Sequence, residues 1–352
     1  MSAMSDDAPS SARLNSEESI IQEFLAPLAA NFPGALELKD DCATLTPTSG
    51  HDLVVKTDPV ASGVHFFEDD APEDIGWKAL AVNVSDLAAK AATPRAYLMA
   101  LSFPEAPTRD WMRRFATGLG EAQDQFGMHL IGGDTDRRPG PVTISITVLG
   151  EVPTGRMVRR ATARSGDLMF VSGQLGSAAM GLALRSRERA GGQASVLAAK
   201  TCGNFEHDMG AKERIIRASL RPMPRLGLRT ALLAHASAAM DLSDGLAKDL
   251  GRLCRASGCG ATVSTSQLPL EDLVRAAVSV DSERWADVVA SGDDYEILAA
   301  VPPSSAEAFV TQAERDGVPV TLIGQFQGGD QVVILDQDNI PMQLARTGWD
   351  HF

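Results

Sequence analysis

The chain has 352 residues, 44% of them hydrophobic, and a formal net charge of -14 at pH 7. No apolar run approaches membrane-spanning length, so the composition excludes a membrane protein and predicts a soluble globular chain of about two domains. The acidic balance, with no basic stripe, excludes a nucleic-acid partner and suits a cationic ligand or an anion bridged by metal.

In chain order, residues 1–19 are acidic and rich in Ser, Ala and Pro, lack the basic and apolar regions of a signal peptide, and read as a disordered leader. Residues 53–57 predict a short strand whose C-terminal end delivers Asp58, followed by a loop at 63–66 that carries His65. From Trp77, the apolar residues Trp77, Leu80, Ala81, Val84, Leu87 and Ala88 recur at helical spacing and leave Asn83 and Asp86 on another face. Asp86 is therefore expected to be presented, not buried in the stripe. A strand at 96–103 and a helix at 108–126 lead to the apolar run 128–131, which ends in Gly132-Gly133-Asp134-Thr135, where glycine permits close backbone approach to a ligand. Val142, Ile144, Ile146 and Val148 alternate with hydroxyl residues, the pattern of a half-buried strand.

The pattern pauses at 150–153, which predicts a boundary between an N-terminal domain at 20–150 and a C-terminal domain at 151–352. The second domain opens with a strand at 168–171 and a glycine-rich entry into a helix. The charged, weakly periodic stretch 185–213 reads as a surface excursion or mobile segment. Leu246, Leu250 and Leu253 mark a helix that begins near Ser243-Asp244 and stops before Gly258, its N-terminus a candidate anion site through free amides. Strands follow at 295–301, 318–323 and 332–335.

Several aspartates follow small or hydroxyl residues: Thr57-Asp58, Ser85-Asp86, Gly133-Asp134 and Asp241-Leu242-Ser243-Asp244-Gly245, with Asp40-Asp41 upstream. Carboxylates only accept hydrogen bonds, and at about 4 Å and an effective dielectric near 20 each like-charged pair costs roughly 4 kcal/mol. Gathering them needs cations, and Mg²⁺ takes oxygen ligands of this kind. Any one taken alone is equally a turn or helix cap. The familiar alternatives are missing: there is no P-loop, no dinucleotide fingerprint, no H-E-x-x-H, and the four cysteines form no C-x-x-C pair. A reducing cytoplasm is the simplest setting.

The segments 57–66, 78–89, Gly132-Gly133-Asp134-Thr135, 241–246, Asp293-Asp294-Tyr295-Glu296 and the closing Gly348-Trp349-Asp350-His351-Phe352, in this order, closely resemble the thiamine-monophosphate kinase family. The resemblance runs from about Glu37 to the last residue. It implies an α/β plus α+β architecture of the aminoimidazole ribonucleotide synthetase type, with the N-terminal sheet pairing across a homodimer. It also implies ATP-dependent phosphorylation of thiamine monophosphate to thiamine diphosphate by direct in-line transfer with Mg²⁺. Carried over by position, Asp41, Thr57, Asp58, Asp86, Asp134 and Asp241 match magnesium ligands and Asp244 a further metal contact. Gly133, Asp134, Arg160 and Ser243 match ATP-binding positions, and His65, Asp293 and Trp349 match substrate-binding positions; Asp58, Asp134 and Asp244 take the catalytic part. The chain departs from the usual pattern at Lys39, Lys56 and Asp293, where the family has Gly, Ser and Glu. A sister ATP-using synthetase of the same fold and a non-catalytic thiamine-phosphate binder are the alternative readings.

Overall fold

The computed structural model describes residues 11–189 and 209–350. Contacts divide the chain into two compact units, Met1–Val84 with Pro94–Glu151, and Ser85–Thr93 with Val152–Phe352.

The first unit is built on a four-stranded sheet in the order β1-β4-β2-β3: β1 His51–Ala61, β2 Thr93–Phe103, β3 Leu130–Arg137 and β4 Thr143–Pro153. On β4, Ile144, Ile146 and Val148 are fully buried, as their alternation predicts. The other face carries the exposed apolar residues Leu53, Val55 and Leu98. Two helices belong to this layer, α1 Pro72–Ala89 and α2 Arg109–Phe126. Thr108 caps α2 by accepting the Trp111 amide at 3.1 Å, and Gly127 ends it in the left-handed conformation, φ 66°. The helices cross at glycines, since a Cβ on Gly118 would sit 1.9 Å from the Glu73 carbonyl oxygen.

The second unit holds a six-stranded sheet in the order β10-β7-β9-β5-β8-β6: β5 Leu168–Ser172, β6 Ala238–Asp241, β7 Gly260–Ser264, β8 Ile297–Val301, β9 Val320–Gln327 and β10 Val332–Leu335. Among the described residues, β10 and β7 pair in parallel and the other neighbouring strands of this sheet are antiparallel. Both faces are covered, which is why β8 reads as an unbroken apolar run. Met169, Val171, Leu298 and Ala300 face a core that includes Leu246, Leu250 and Leu253, whereas Phe170, Ile297, Ala299 and Val301 face one that includes Leu232 and Phe309. The helices are α3 Ser177–Arg189, α4 Met209–Leu220, α5 Arg229–His235, α6 Leu246–Ser257, α7 Asp272–Val280, α8 Trp285–Ala290 and α9 Ala306–Arg315.

The structure corrects several expectations. Residues 13–19 are ordered: Leu14 is buried, Arg13 bridges to Thr108, and Ser16 caps a helix at Glu17–Ile20. Residues 1–10 lie outside the described residues. β4 runs unbroken through 150–153 to Pro153, and the contacts divide the chain within this stretch, at Glu151 and Val152. The flanks of 185–213 are helical, with Arg185 buried, while 190–208 lie outside the described residues. β1 is longer than its apolar core, so Asp58 sits within the strand and not at its end.

Candidate active site

β6 ends in Asp241, and residues 242–245 turn the chain into α6. Asp241 is only 7% exposed, and its Oδ2 accepts a hydrogen bond from Ser85 Oγ at 2.8 Å. Burial and the neighbouring Asp86 push its carboxyl up to about 7, against the Ser85 hydrogen bond and the Lys90 ammonium. Lys90 Nζ donates to the Ala239 carbonyl at 2.8 Å, so the last turn of α1 and the residue beyond it surround Asp241 with a hydroxyl, a carboxylate and a cation. Asp86 is half-buried in a turn whose other residues are buried, as its place off the apolar stripe predicts.

The front of α6 differs from the expected anion site. The Ser243 and Asp244 amides donate to Asp249 Oδ2 at 3.0 and 2.9 Å, so the chain's own carboxylate already occupies them. Asp249 is fully buried and tied to Arg252 at 2.8 Å. The Asp244 carboxylate lies between Arg252 Nη1 at 2.6 Å and Lys248 Nζ at 3.5 Å.

Residues 292–296 run alongside this turn and extend the antiparallel β6–β8 ladder. Leu242 donates to the Glu296 carbonyl, Tyr295 to the Leu242 carbonyl and Asp293 to the Ser243 carbonyl, at 2.8, 2.9 and 2.9 Å. Gly292 is required, since a Cβ would sit 2.0 Å from the Ser243 carbonyl oxygen. Asp293 and Tyr295 take positive φ, 71° and 50°, a cost that persists only where surroundings over-determine the backbone. Arg225 does this, gripping Glu296 with Nε to Oε2 at 2.7 Å and Nη2 to Oε1 at 2.5 Å, while Ser172 Oγ donates to Oε2 at 2.6 Å. Tyr295 Oη donates to Asp293 Oδ1 at 3.1 Å. The Trp349 amide donates to the next carbonyl, that of Asp244, at 3.0 Å. The candidate acceptor residues Asp293 and Trp349 thus hang from adjacent peptide carbonyls. Arg160 is exposed, and its carbonyl accepts from Ser257 Oγ at 2.9 Å.

In the first unit, the Asp58 peptide is held by Asn83 of α1, its amide donating to Oδ1 at 2.9 Å. Lys56 Nζ lies 2.9 Å from Asp58 Oδ2, as the strand period predicts. The same period separates Thr57 from Asp58: the Thr57 hydroxyl is turned to the opposite face, where it donates to the Ile146 carbonyl at 3.2 Å. His65 Nδ1 accepts the Ala61 amide at 3.0 Å. Gly133 and Asp134 lie inside β3, paired with Met99 and Ala100. A Cβ on Gly133 would fall 1.8 Å from the Met99 carbonyl oxygen, so this glycine lets β3 lie close against β2. Asp41 and Asp134 are exposed. Among the described residues, no three His, Cys, Asp or Glu side chains lie close enough together to hold one metal ion.

Sequence reasoning passed over Lys90, Lys248, Asp249, Arg252, Arg225 and Glu296. Asp249 and Glu296 carried a signal, as acids placed at the start of an apolar helix and strand where only a partner justifies burial. No comparable signal marks Arg225 or Lys248.

Family models of the AIR synthase related proteins match the chain, the N-terminal domain at residues 39–152 and the C-terminal domain at 164–337. The thiamine-monophosphate kinase of Caulobacter vibrioides is 36% identical over 99% of this chain and 94% of its own length. The crystal structure of thiamine-monophosphate kinase from Stenotrophomonas maltophilia K279a superposes with a TM-score of 0.79 at 36% identity, covering 94% of this chain and 99% of that one. A structure of AaThiL complexed with AMPPCP and TMP gives 0.71 at 28% identity, covering 96% and 99%.

Proposed function

Because the chain belongs to the thiamine-monophosphate kinase family within the AIR synthase related proteins, we infer that it is a kinase that phosphorylates thiamine monophosphate with ATP. The products are thiamine diphosphate and ADP. An oxygen of the acceptor phosphate forms the new bond to the γ-phosphorus as the bond from that phosphorus to the ADP oxygen breaks, in line and without a covalent enzyme intermediate. The full-length likeness carries this reading.

Two polyanions must meet, so positioning and charge neutralisation dominate. The donor set fits magnesium: Asp86 and Asp241 form a carboxylate pair whose burial and repulsion, expressed in the raised Asp241, a dication offsets. These two would hold the ion, with Asp41, Thr57, Asp58, Asp134 and Asp244 as the further contacts the resemblance assigns. When bound, magnesium neutralises phosphate charge. Ser85 orients Asp241 through Oδ2. Arg160, with Gly133 and Ser243, takes the ATP phosphates, its planar fork suited to paired oxygens. On the acceptor side, thiamine carries a permanent thiazolium cation, matched by the Asp293 carboxylate and the Trp349 ring face. His65 is oriented by the Ala61 amide, which donates to Nδ1. The working form is a cytoplasmic homodimer in which the sheet face bearing Leu53, Val55 and Leu98 is covered by a second copy.

Incubating the purified protein with thiamine monophosphate and Mg-ATP tests the reading. Thiamine diphosphate and ADP should form in equal amounts, and EDTA should stop both. ATP consumption without thiamine diphosphate, or none at all, overturns it.

A further inference from the structure

Trp349 is 46% exposed, so little packing fixes its ring. Its backbone is fixed on both sides by the first turn of α6. The Trp349 amide donates to the Asp244 carbonyl at 3.0 Å, and the Trp349 carbonyl accepts from Lys248 Nζ. Lys248 also lies 3.5 Å from the Asp244 carboxylate and 3.7 Å from that of Asp350, with its side chain only 17% exposed. The preceding residue lies directly on this turn: a Cβ on Gly348 would come within 2.5 Å of both the Asp244 carbonyl oxygen and Lys248 Cβ.

Upstream, Met342 and Leu344 of the terminal segment pack against the core of the second unit, and the Met342 amide donates to the Ile334 carbonyl at 2.8 Å. A cavity of about 370 Å³ lies between α6, β10 and the segment, lined by Gly251, Arg255, Ile334, Met342, Leu344 and Thr347, with Lys248 at its edge. Asp244 does not depend on Lys248, because Arg252 holds the same carboxylate oxygen at 2.6 Å. The contact that Lys248 alone supplies is the one to the terminal segment.

We propose that Lys248 is a positioning residue for the acceptor, latching the terminal segment so that the Trp349 ring is held at a fixed offset from Asp293. Both candidate acceptor residues hang from the Ser243 and Asp244 carbonyls, so one dipeptide sets the spacing between carboxylate and indole. Lys248 makes that spacing rigid by holding the far side of Trp349. A flat cationic ring between the two then meets a prepared site and loses less on ordering. The inference rests on the thiamine monophosphate reading above.

The test compares full-length wild type with Lys248→Met, which keeps the stem and removes the ammonium, and Lys248→Arg, which restores a donor. Measurements are KM for each substrate, kcat, and acrylamide quenching of tryptophan fluorescence, to which Trp349 contributes most because it is exposed whereas Trp77 and Trp285 are buried and Trp111 is only half-buried. For Lys248→Met, KM for thiamine monophosphate should rise about tenfold. KM for ATP and kcat should stay within about twofold. Quenching should increase, and Lys248→Arg should recover most of both effects. Equal rises in both KM values, or unchanged acceptor KM with unchanged quenching, overturn the latch. If wild type leaves thiamine monophosphate untouched while Lys248→Met still raises quenching, the acceptor reading falls and the latch stands.

Discussion

Asp294 sits in the middle of the Asp293-Asp294-Tyr295-Glu296 segment yet faces away from the proposed acceptor, its Oδ1 accepting the Gly176 amide at 2.9 Å at the entrance to α3. Burial holds its carboxyl well above the ordinary range, opposed by the Gly176 amide and reinforced by Glu296 and Asp293. The folded state therefore keeps a proton that the unfolded chain releases near pH 4, and stability falls as pH rises above that value. Asp294→Asn removes this slope. Its melting temperature relative to wild type should climb between about pH 4 and pH 8; a variant that loses ground as pH rises would mean the carboxylate is ionised and bonded. Lys56 is the second residue whose charge can be tested. Its ammonium sits 2.9 Å from Asp58 on a half-exposed strand face, where such a pair contributes about 1 kcal/mol or less to stability. Its worth lies in supplying positive charge beside a proposed metal ligand. Lys56→Ser should make turnover depend on higher Mg²⁺, and Lys56→Met should lose activity at every Mg²⁺ concentration. Three superimposable curves of rate against Mg²⁺ would make Lys56 a bystander.

At the scale of elements, α2 was legible because its signals agree: Thr108 as cap, a stripe from Met112 to Phe126, and Gly127 as stop. Thr108→Ala should cost about 1 kcal/mol, read as a shift of the denaturation midpoint at unchanged slope; no shift would show that the Thr108 hydroxyl contributes nothing. The candidate aspartates were legible as motifs, but their surroundings were not. Gly132-Gly133-Asp134 looks like a loop that cradles a ligand, and becomes a strand because β2 runs close enough to exclude a Cβ at Gly133. The amides at the front of α6 look free until Asp249 folds back on them, a contact between residues five and six apart that periodicity does not encode. Thr57 and Asp58 look like one motif and are split by the strand, since neighbours on a pleat face opposite ways. Local periodicity predicts what a single element does. It does not predict which side chains of other elements will satisfy it, and the Arg225 grip on Glu296 is of that second kind.

At the scale of the whole molecule, net charge and exposed apolar surface pull in opposite directions. Each copy carries -14, so two copies repel, and the repulsion is long-ranged at low salt. Against it stands the open face of the four-stranded sheet, where Leu53, Val55 and Leu98 are 40%, 59% and 39% exposed. Covering such residues contributes about 25 cal/mol per Å² of apolar area removed from water, a term that salt does not screen. The proposed homodimer should therefore tighten as salt rises from about 20 to 300 mM, because screening weakens only the opposing charge. Val55→Glu adds a charge at the centre of the proposed contact and should give a folded monomer. Sedimentation equilibrium decides between these terms. A wild type that stays monomeric at all salt concentrations, or a Val55→Glu variant that still sediments as two chains, would remove this sheet face from the interface.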